Sequence, residues 1–299
     1  MIKVDLKGDI SFALRALSNP YGFQNLLHFY LKRGKIKFPN NFSITINKNN
    51  FRDILELYRF AIKYGVNINN RWKVNEQNYT IITPCGLKFS LEGFDALIFA
   101  ETFLYDSHFI DFDLTGKTVI HAGAYVGETA LYYANKGAIV YAFEPNPDCY
   151  RIANLNLKLN PELAKNIVLE NYAIGEDGYV EFPNVKCNGA ASVYSNIKDK
   201  VKVRSISIST ILKEFKIDNP DILDIDIKGN EFKVINDKSL EKFKVIRIEY
   251  TTNIGGKKLG SVDDIINKLK EYGFNKIRIY KHNEGKYDLS EHGTIYAVK

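Results

Sequence analysis

The sequence predicts an α/β protein. A seven-stranded, Rossmann-like sheet, mostly parallel with an antiparallel last strand, follows a mainly helical N-terminal region. Two observations carry this. From Thr115 onward, short apolar strands alternate with helical segments, which demands crossover connections and a sheet covered on both faces. Near the end the alternation stops. Two strands follow one another across a polar turn, so the last runs antiparallel.

The N-terminal elements come first. Residues 10–17 and 23–31 are short apolar helices, ended by Ser18-Asn-Pro-Tyr-Gly and near Gly34. Residues 51–64 place Ile54, Leu55, Tyr58, Ala61 and Ile62 on one face at helical spacing, with Gly65 as the stop. The Phe and Tyr residues of these helices are read as core. Strands are expected at 42–46, 79–83 and 86–89, and a helix at 96–105. In the second part, strands are expected at 118–122, 139–143, 167–174, 222–227 and 245–250, and a hairpin-like stretch near 178–182. A helix over 262–272 and strands at 276–280 and 294–298 close the chain. The change of pattern sets the expected division: an accessory region over 1–84 and an α/β domain over 85–299.

The 299 residues are 45% hydrophobic and 25% charged, ordinary for a globular chain and enough for two modest domains. No apolar run reaches the ~18 residues of a membrane span, and the N-terminus lacks a signal-peptide core. A cytoplasmic location is the resulting expectation. The net charge of +6 is spread along the chain, with no strong nucleic-acid signal. Cys85, Cys149 and Cys187 are odd in number and far apart, so they are expected as buried free thiols. His28, His282 and His292 lack HxxxH or HExxH spacing, so no metal site is expected.

The chemistry concentrates in Val119-Ile-His-Ala-Gly-Ala-Tyr-Val-Gly-Glu-Thr. Gly123 and Gly127 bracket a turn from strand to helix, with Ala124 and Tyr125 inside it. A backbone without Cβ atoms lets a ligand come close, and the helix N-terminus suits a carboxylate. Glu144 ends the next strand, about 20 residues beyond the first glycine, where an acid accepts the ribose hydroxyls of a nucleoside. Pro145 stiffens the exit from that strand. Asp226 and Glu249 end two later strands, where catalytic groups gather in such sheets. Asp226 is the candidate acceptor of a proton from an attacking hydroxyl.

The Glu-Pro-Asn-Pro run from Glu144, the later Asn171-Tyr-Ala-Ile-Gly-Glu, Ser205-Ile-Ser-Ile-Ser-Thr-Ile-Leu, and Ile222-Leu-Asp-Ile-Asp-Ile-Lys-Gly-Asn-Glu resemble successive motifs of the FkbM methyltransferases. The resemblance runs from about Gly86 to the end of the chain. It implies S-adenosyl-L-methionine (SAM) as cofactor and methyl transfer, usually to an oxygen of a small-molecule or carbohydrate-containing acceptor. It adds Ala173 and Glu101 as cofactor-site candidates. Two segments depart from the family's pattern, the first at His121 and at Tyr125, which stands where the family usually has Asn. His121 stands where the family usually has Asp, which would attract the ammonium group of SAM. Asp224 and Lys228 stand where the family has Lys and Glu. These departures favour the alternative reading, a methyltransferase-fold scaffold or binding protein without turnover.

Overall fold

A computed structural model describes residues 6–108, 113–189, 191–281 and 288–299, so His282 lies outside the described residues. The chain forms two compact units, Met1–Ile110 and Asp111–Lys299.

In the first unit, helix Phe51–Tyr64 buries Ile54, Leu57, Tyr58, Phe60 and Ala61, and ends on Gly65 in the left-handed region at φ 67°. That φ carries almost no steric penalty without a Cβ, which is why the helix stops there. Aromatic rings fill the core: Phe60 meets Trp72 and Phe94 edge-on, at 4.8 and 5.4 Å between centroids. The first two helices differ from expectation. Phe29 is buried, but Phe23 and Tyr30 are 75% and 82% exposed, so these rings are surface and not core. Helix Gly22–Leu31 buries only Gly22, Asn25 and Phe29. Phe23 and Tyr30 each follow a buried residue by one position, about 100° around the helix, which turns them off that stripe. A division after residue 84 separates strands Thr80–Ile82 and Lys88–Ser90, which pair antiparallel within the first unit.

In the second unit, seven described strands make one sheet. They are β1 (Thr118–Ala122), β2 (Ile139–Phe143), β3 (Ile167–Glu170), β4 (Ile222–Asp226), β5 (Val245–Thr251), β6 (Lys276–Tyr280) and β7 (His292–Val298). Their order is β6-β7-β5-β4-β1-β2-β3. The pairings from β3 through β5 are parallel. β7 runs antiparallel to both β5 and β6. The predicted fold class therefore holds. Strand order reverses between β1 and β4, and a crevice opens beyond the carboxyl ends of strands at such a point. Helix α1 (Glu128–Asn135) follows β1, and α2 (Pro147–Leu159) follows β2, started by the Asn146 side chain, which accepts from the Asp148 and Cys149 N–H groups.

Two expectations fail in this unit. The strand expected over 167–174 breaks at Asn171, whose Nδ2 donates to the Glu144 and Pro145 carbonyls at 2.7 and 3.2 Å. Tyr172–Ile174 then joins a separate sheet beside Lys200–Ile206, which is also the partner of Gly178–Pro183. The cysteines are the second. Cys149 and Cys187 form a disulfide, with Cα atoms 4.6 Å apart, and Cys85 is exposed. The segment around Cys187 is held on the first turn of α2, where the Asp148 carboxylate accepts its N–H at 3.0 Å.

Candidate functional site

The turn from β1 into α1 is buried against its neighbours. The Gly123 and Ala124 N–H groups both donate to the Phe143 carbonyl at 2.9 Å, which ties the turn to the end of β2. Gly123 has φ 95°, and a Cβ there would lie 2.0 Å from the Asp226 carbonyl oxygen. Only glycine lets β1 and β4 close up at the switch point. Gly127 has φ 80°, and Tyr125 takes φ 47°, uncommon for a bulky residue.

Glu144 is 6% exposed. Its two oxygens accept from the Tyr125 and Asn146 N–H groups, each at 2.8 Å, so one carboxylate joins the β1 turn to the α2 turn. Burial pushes this carboxyl up to about 8, against the pull of those donors. Pro145 is half-buried beside it, and Asn171 fixes the carbonyls of both residues. Ala173 is buried two residues beyond Asn171.

The N-terminus of α1 is already capped from within. Glu128, 3% exposed, receives its own N–H, the Thr129 N–H, and the Thr129 hydroxyl at 3.1 Å. Its second oxygen, Oε2, is buried and has no hydrogen-bond partner. Burial pushes the group up to about 7. The anion position of this helix is thus filled by the chain itself.

His121 is buried beneath this turn. β1 and β4 pair His121 with Asp224, and His121 Nδ1 stands 3.3 Å from Asp224 Oδ2. Neither ring nitrogen makes a well-directed hydrogen bond. Asp224 is fully buried and is held by Arg247 Nη1 at 2.8 Å and by the Tyr133 hydroxyl. Burial disfavours a charged imidazole, but Asp224, Glu128 and Asp226 outweigh it and raise the His121 pKa above the ordinary histidine value.

Beyond β4 and β5 lies a second charged group. Lys228 Nζ donates to Asp226 Oδ1 at 2.9 Å and to Glu249 Oε1 at 2.5 Å. Burial opposes its charge, but the two carboxylates dominate and hold the ammonium form well above the usual lysine range. The Asp226 side chain is 31% exposed, whereas that of Glu249 is 7% exposed and also faces Arg247 and His292, each at 3.8 Å. Glu231 clamps the tip: its oxygens accept from Gly229 N at 2.5 Å and Thr251 N at 2.7 Å.

The structure therefore brings Gly123, Ala124, Tyr125, Gly127, Glu144, Pro145 and His121 together around one turn. Asp226 and Glu249 are register neighbours on the adjacent strand ends. Glu101 lies in helix Ala96–Phe103 of the first unit. Sequence reasoning missed Glu128, Tyr133 and Arg247. The available signal was an acid directly after Gly127 inside an otherwise apolar helix, and a basic residue in the middle of a buried strand. Among the described residues, no group of three or more His, Cys, Asp or Glu side chains is arranged to hold a metal ion.

A sheet of this order, with an acid ending β2 and a glycine turn after β1, defines the class I methyltransferase fold. Residues 121–276, more than half of the chain, match the methyltransferase FkbM domain. The chain belongs to the FkbM family of SAM-dependent methyltransferases. A curated relative, Methyltransferase sdnD of Sordaria araneosa, is 26% identical over 185 residues, spanning 48% of this chain and 71% of the relative. Among solved structures, the N-terminal domain of human METTL16 in complex with SAH shares 14% identity over 96% of this chain and 93% of that one, with a TM-score of 0.41. Magnesium protoporphyrin IX methyltransferase of Synechocystis PCC 6803 with bound SAH shares 14% over 66% and 77%, with a TM-score of 0.36.

Proposed function

We propose that this chain transfers a methyl group to an oxygen of a small-molecule or carbohydrate-containing acceptor. The observation that carries the reading is a division of carboxylates at the switch point. Glu144 and Glu128 are buried around the β1 turn, and Asp226 is part-exposed at the end of the next strand.

The residues of the turn fit SAM. Glu144 accepts the ribose hydroxyls, and its oxygens keep lone pairs beyond those used by Tyr125 and Asn146. Pro145 and Ala173 border the nucleoside side, on the family resemblance. Glu128 Oε2, buried and without a partner, takes the ammonium group of the methionyl part. His121 forms the floor and sets the charge beneath Glu128. When bound, SAM supplies a methyl group on a good leaving group, its sulfonium. The protein then has mainly to orient the acceptor and exclude water.

Asp226 orients the acceptor hydroxyl through its second oxygen, while Lys228 occupies the first. With Lys228 already on one of its oxygens, the part-exposed Asp226 serves to position the hydroxyl. Glu249 holds Lys228 in place from the buried side. The test is a panel of hydroxylated acceptors incubated with SAM, with methylated products located by mass spectrometry. Methylation at nitrogen or carbon only would remove the oxygen assignment. A second reading, a SAM-binding protein without turnover, is favoured by the double engagement of Lys228. It predicts tight SAM binding with no product from any hydroxyl acceptor.

A further inference from the structure

The first unit carries an apolar face that its own core does not use. Along helix Gly22–Leu31, Phe23, Leu27 and Tyr30 recur at intervals of four and three on the side opposite the buried Asn25 and Phe29. They are 75%, 45% and 82% exposed, and Leu31 is 43% exposed. The neighbouring helix Leu6–Leu17 adds Leu14 and Leu17, 65% and 49% exposed. The two helices meet closely, since a Cβ on Gly22 would lie 2.0 Å from the Ala16 carbonyl oxygen. Exposed apolar side chains gathered this densely mark an interaction surface.

Charge identifies what it meets. Residues 10–52 hold seven Lys or Arg and no Asp or Glu. Lys32, Arg33 and Lys35 are exposed directly after the apolar helix. A second copy of this face is a poor occupant, because it would set cations against cations, with Asp9 as the single acid in the two helices to pair them. RNA would match the charge, but Leu14, Leu17, Leu27 and Leu31 offer aliphatic surface that bases cannot stack on. Leucines and aromatic rings beside a basic rim match a bilayer interface, with chains below and anionic headgroups at the edge.

We infer that helices Leu6–Leu17 and Gly22–Leu31 seat the protein on an anionic lipid surface, with Phe23, Leu27 and Tyr30 inserted and Lys32, Arg33 and Lys35 on the headgroups. This rests on the first unit alone and is independent of the acceptor reading. The helices lie on the membrane; no described helix is long and apolar enough to cross it.

The test is flotation of the full chain with vesicles of phosphatidylcholine, alone or with roughly 30% phosphatidylglycerol, at moderate salt. Partition onto the anionic vesicles is expected to exceed that onto neutral ones by about tenfold or more. A combined Phe23→Ser, Leu27→Ser, Tyr30→Ser variant should lose about tenfold in partition, and Lys32→Glu, Arg33→Glu, Lys35→Glu should remove the anionic preference. All six side chains lie on the surface, and a melting curve for each variant confirms the fold. No partition onto anionic vesicles, or equal partition by wild type and both variants, overturns the inference. So does a polyuridylate oligomer that binds the serine variant as tightly as wild type and strips the protein from vesicles, or a dimer seen by light scattering that the serine variant abolishes.

Discussion

Glu128→Gln tests whether Glu128 holds the ammonium group of SAM. Glu128 is 3% exposed, and burial pushes its carboxyl from 4.5 in the unfolded chain to about 7. An acid whose folded pKa is raised holds its proton more tightly in the folded state. Its contribution to stability is therefore fully present below the unfolded value and is lost as pH rises through the folded one. The shift amounts to about 3 kcal/mol at high pH, of which about 2.5 kcal/mol is lost between about pH 5 and about pH 8. Glutamine keeps the shape and still accepts from Thr129, but it does not titrate. The ligand-free Gln variant should therefore be the more stable protein at about pH 8, by about 2–3 kcal/mol, with the difference shrinking toward about pH 5.

Ligand binding should reverse the ranking. If Oε2 holds the ammonium group, the demethylated product SAH should bind the Gln variant about 10–100-fold more weakly, the scale of a lost charge-assisted hydrogen bond. 5′-Methylthioadenosine, which lacks the amino-acid part, should bind both proteins alike. Urea unfolding at the two pH values and calorimetric titrations with both ligands give the complete set. Equal SAH affinity in the two proteins would refute the ammonium assignment even if the stability difference appears. A stability gap that does not grow with pH would refute the burial argument itself.

Four other outcomes follow from the same geometry. Glu144→Ala should weaken SAH and methylthioadenosine together, by about 1–3 kcal/mol in calorimetry, because both carry the ribose. Gly123→Ala puts a Cβ 2.0 Å from the Asp226 carbonyl at φ 95°, and should cost about 3 kcal/mol or more in urea unfolding. Cys149→Ser removes a cross-link spanning 38 residues and should cost about 2–4 kcal/mol, an effect absent when wild type is compared under reducing conditions. His121→Asp places a carboxylate against Asp224 in the core; it should destabilise by about 3–5 kcal/mol and bring no gain in SAH affinity, and tighter binding by a stable variant would place His121 at the ligand instead.

Much of the α/β unit was legible because its signals are local. β1, β2, β4 and β5 are short apolar runs, and the motif glycines and Glu144 sit at fixed spacings from them. What failed depends on distant partners. Asn171 ends a strand because it bonds to carbonyls at 144 and 145, which no window around 171 contains. Cys149 and Cys187 pair because Asp148 and Asn146 gather residues 185–187 onto a helix start. Phe23 and Tyr30 looked like core because an apolar helix does not announce which stripe it buries. Glu128 was passed over because its significance lies in an oxygen left without a partner, a property of packing and not of spacing.

The two departures from the family pattern are best understood as a single exchange. Read along the chain, His121 in place of Asp and Asp224 in place of Lys are about 100 residues apart and count separately against activity. The parallel register of β1 and β4 places them side by side, Nδ1 to Oδ2 at 3.3 Å. The acid of this pair stands on β4 and the imidazole on β1. Arg247 and Tyr133 also hold Asp224, which is fully buried. An acid–base pair thus lies beneath the turn, and β1 itself carries an imidazole near its end and not a carboxylate. Glu128, at the start of α1 just after the same turn, is the nearest chain-order acid that is buried and partly unsatisfied. The ammonium site proposed at Glu128 fits these residues: β1 carries an imidazole near its end, and Glu128 keeps one buried oxygen without a hydrogen-bond partner.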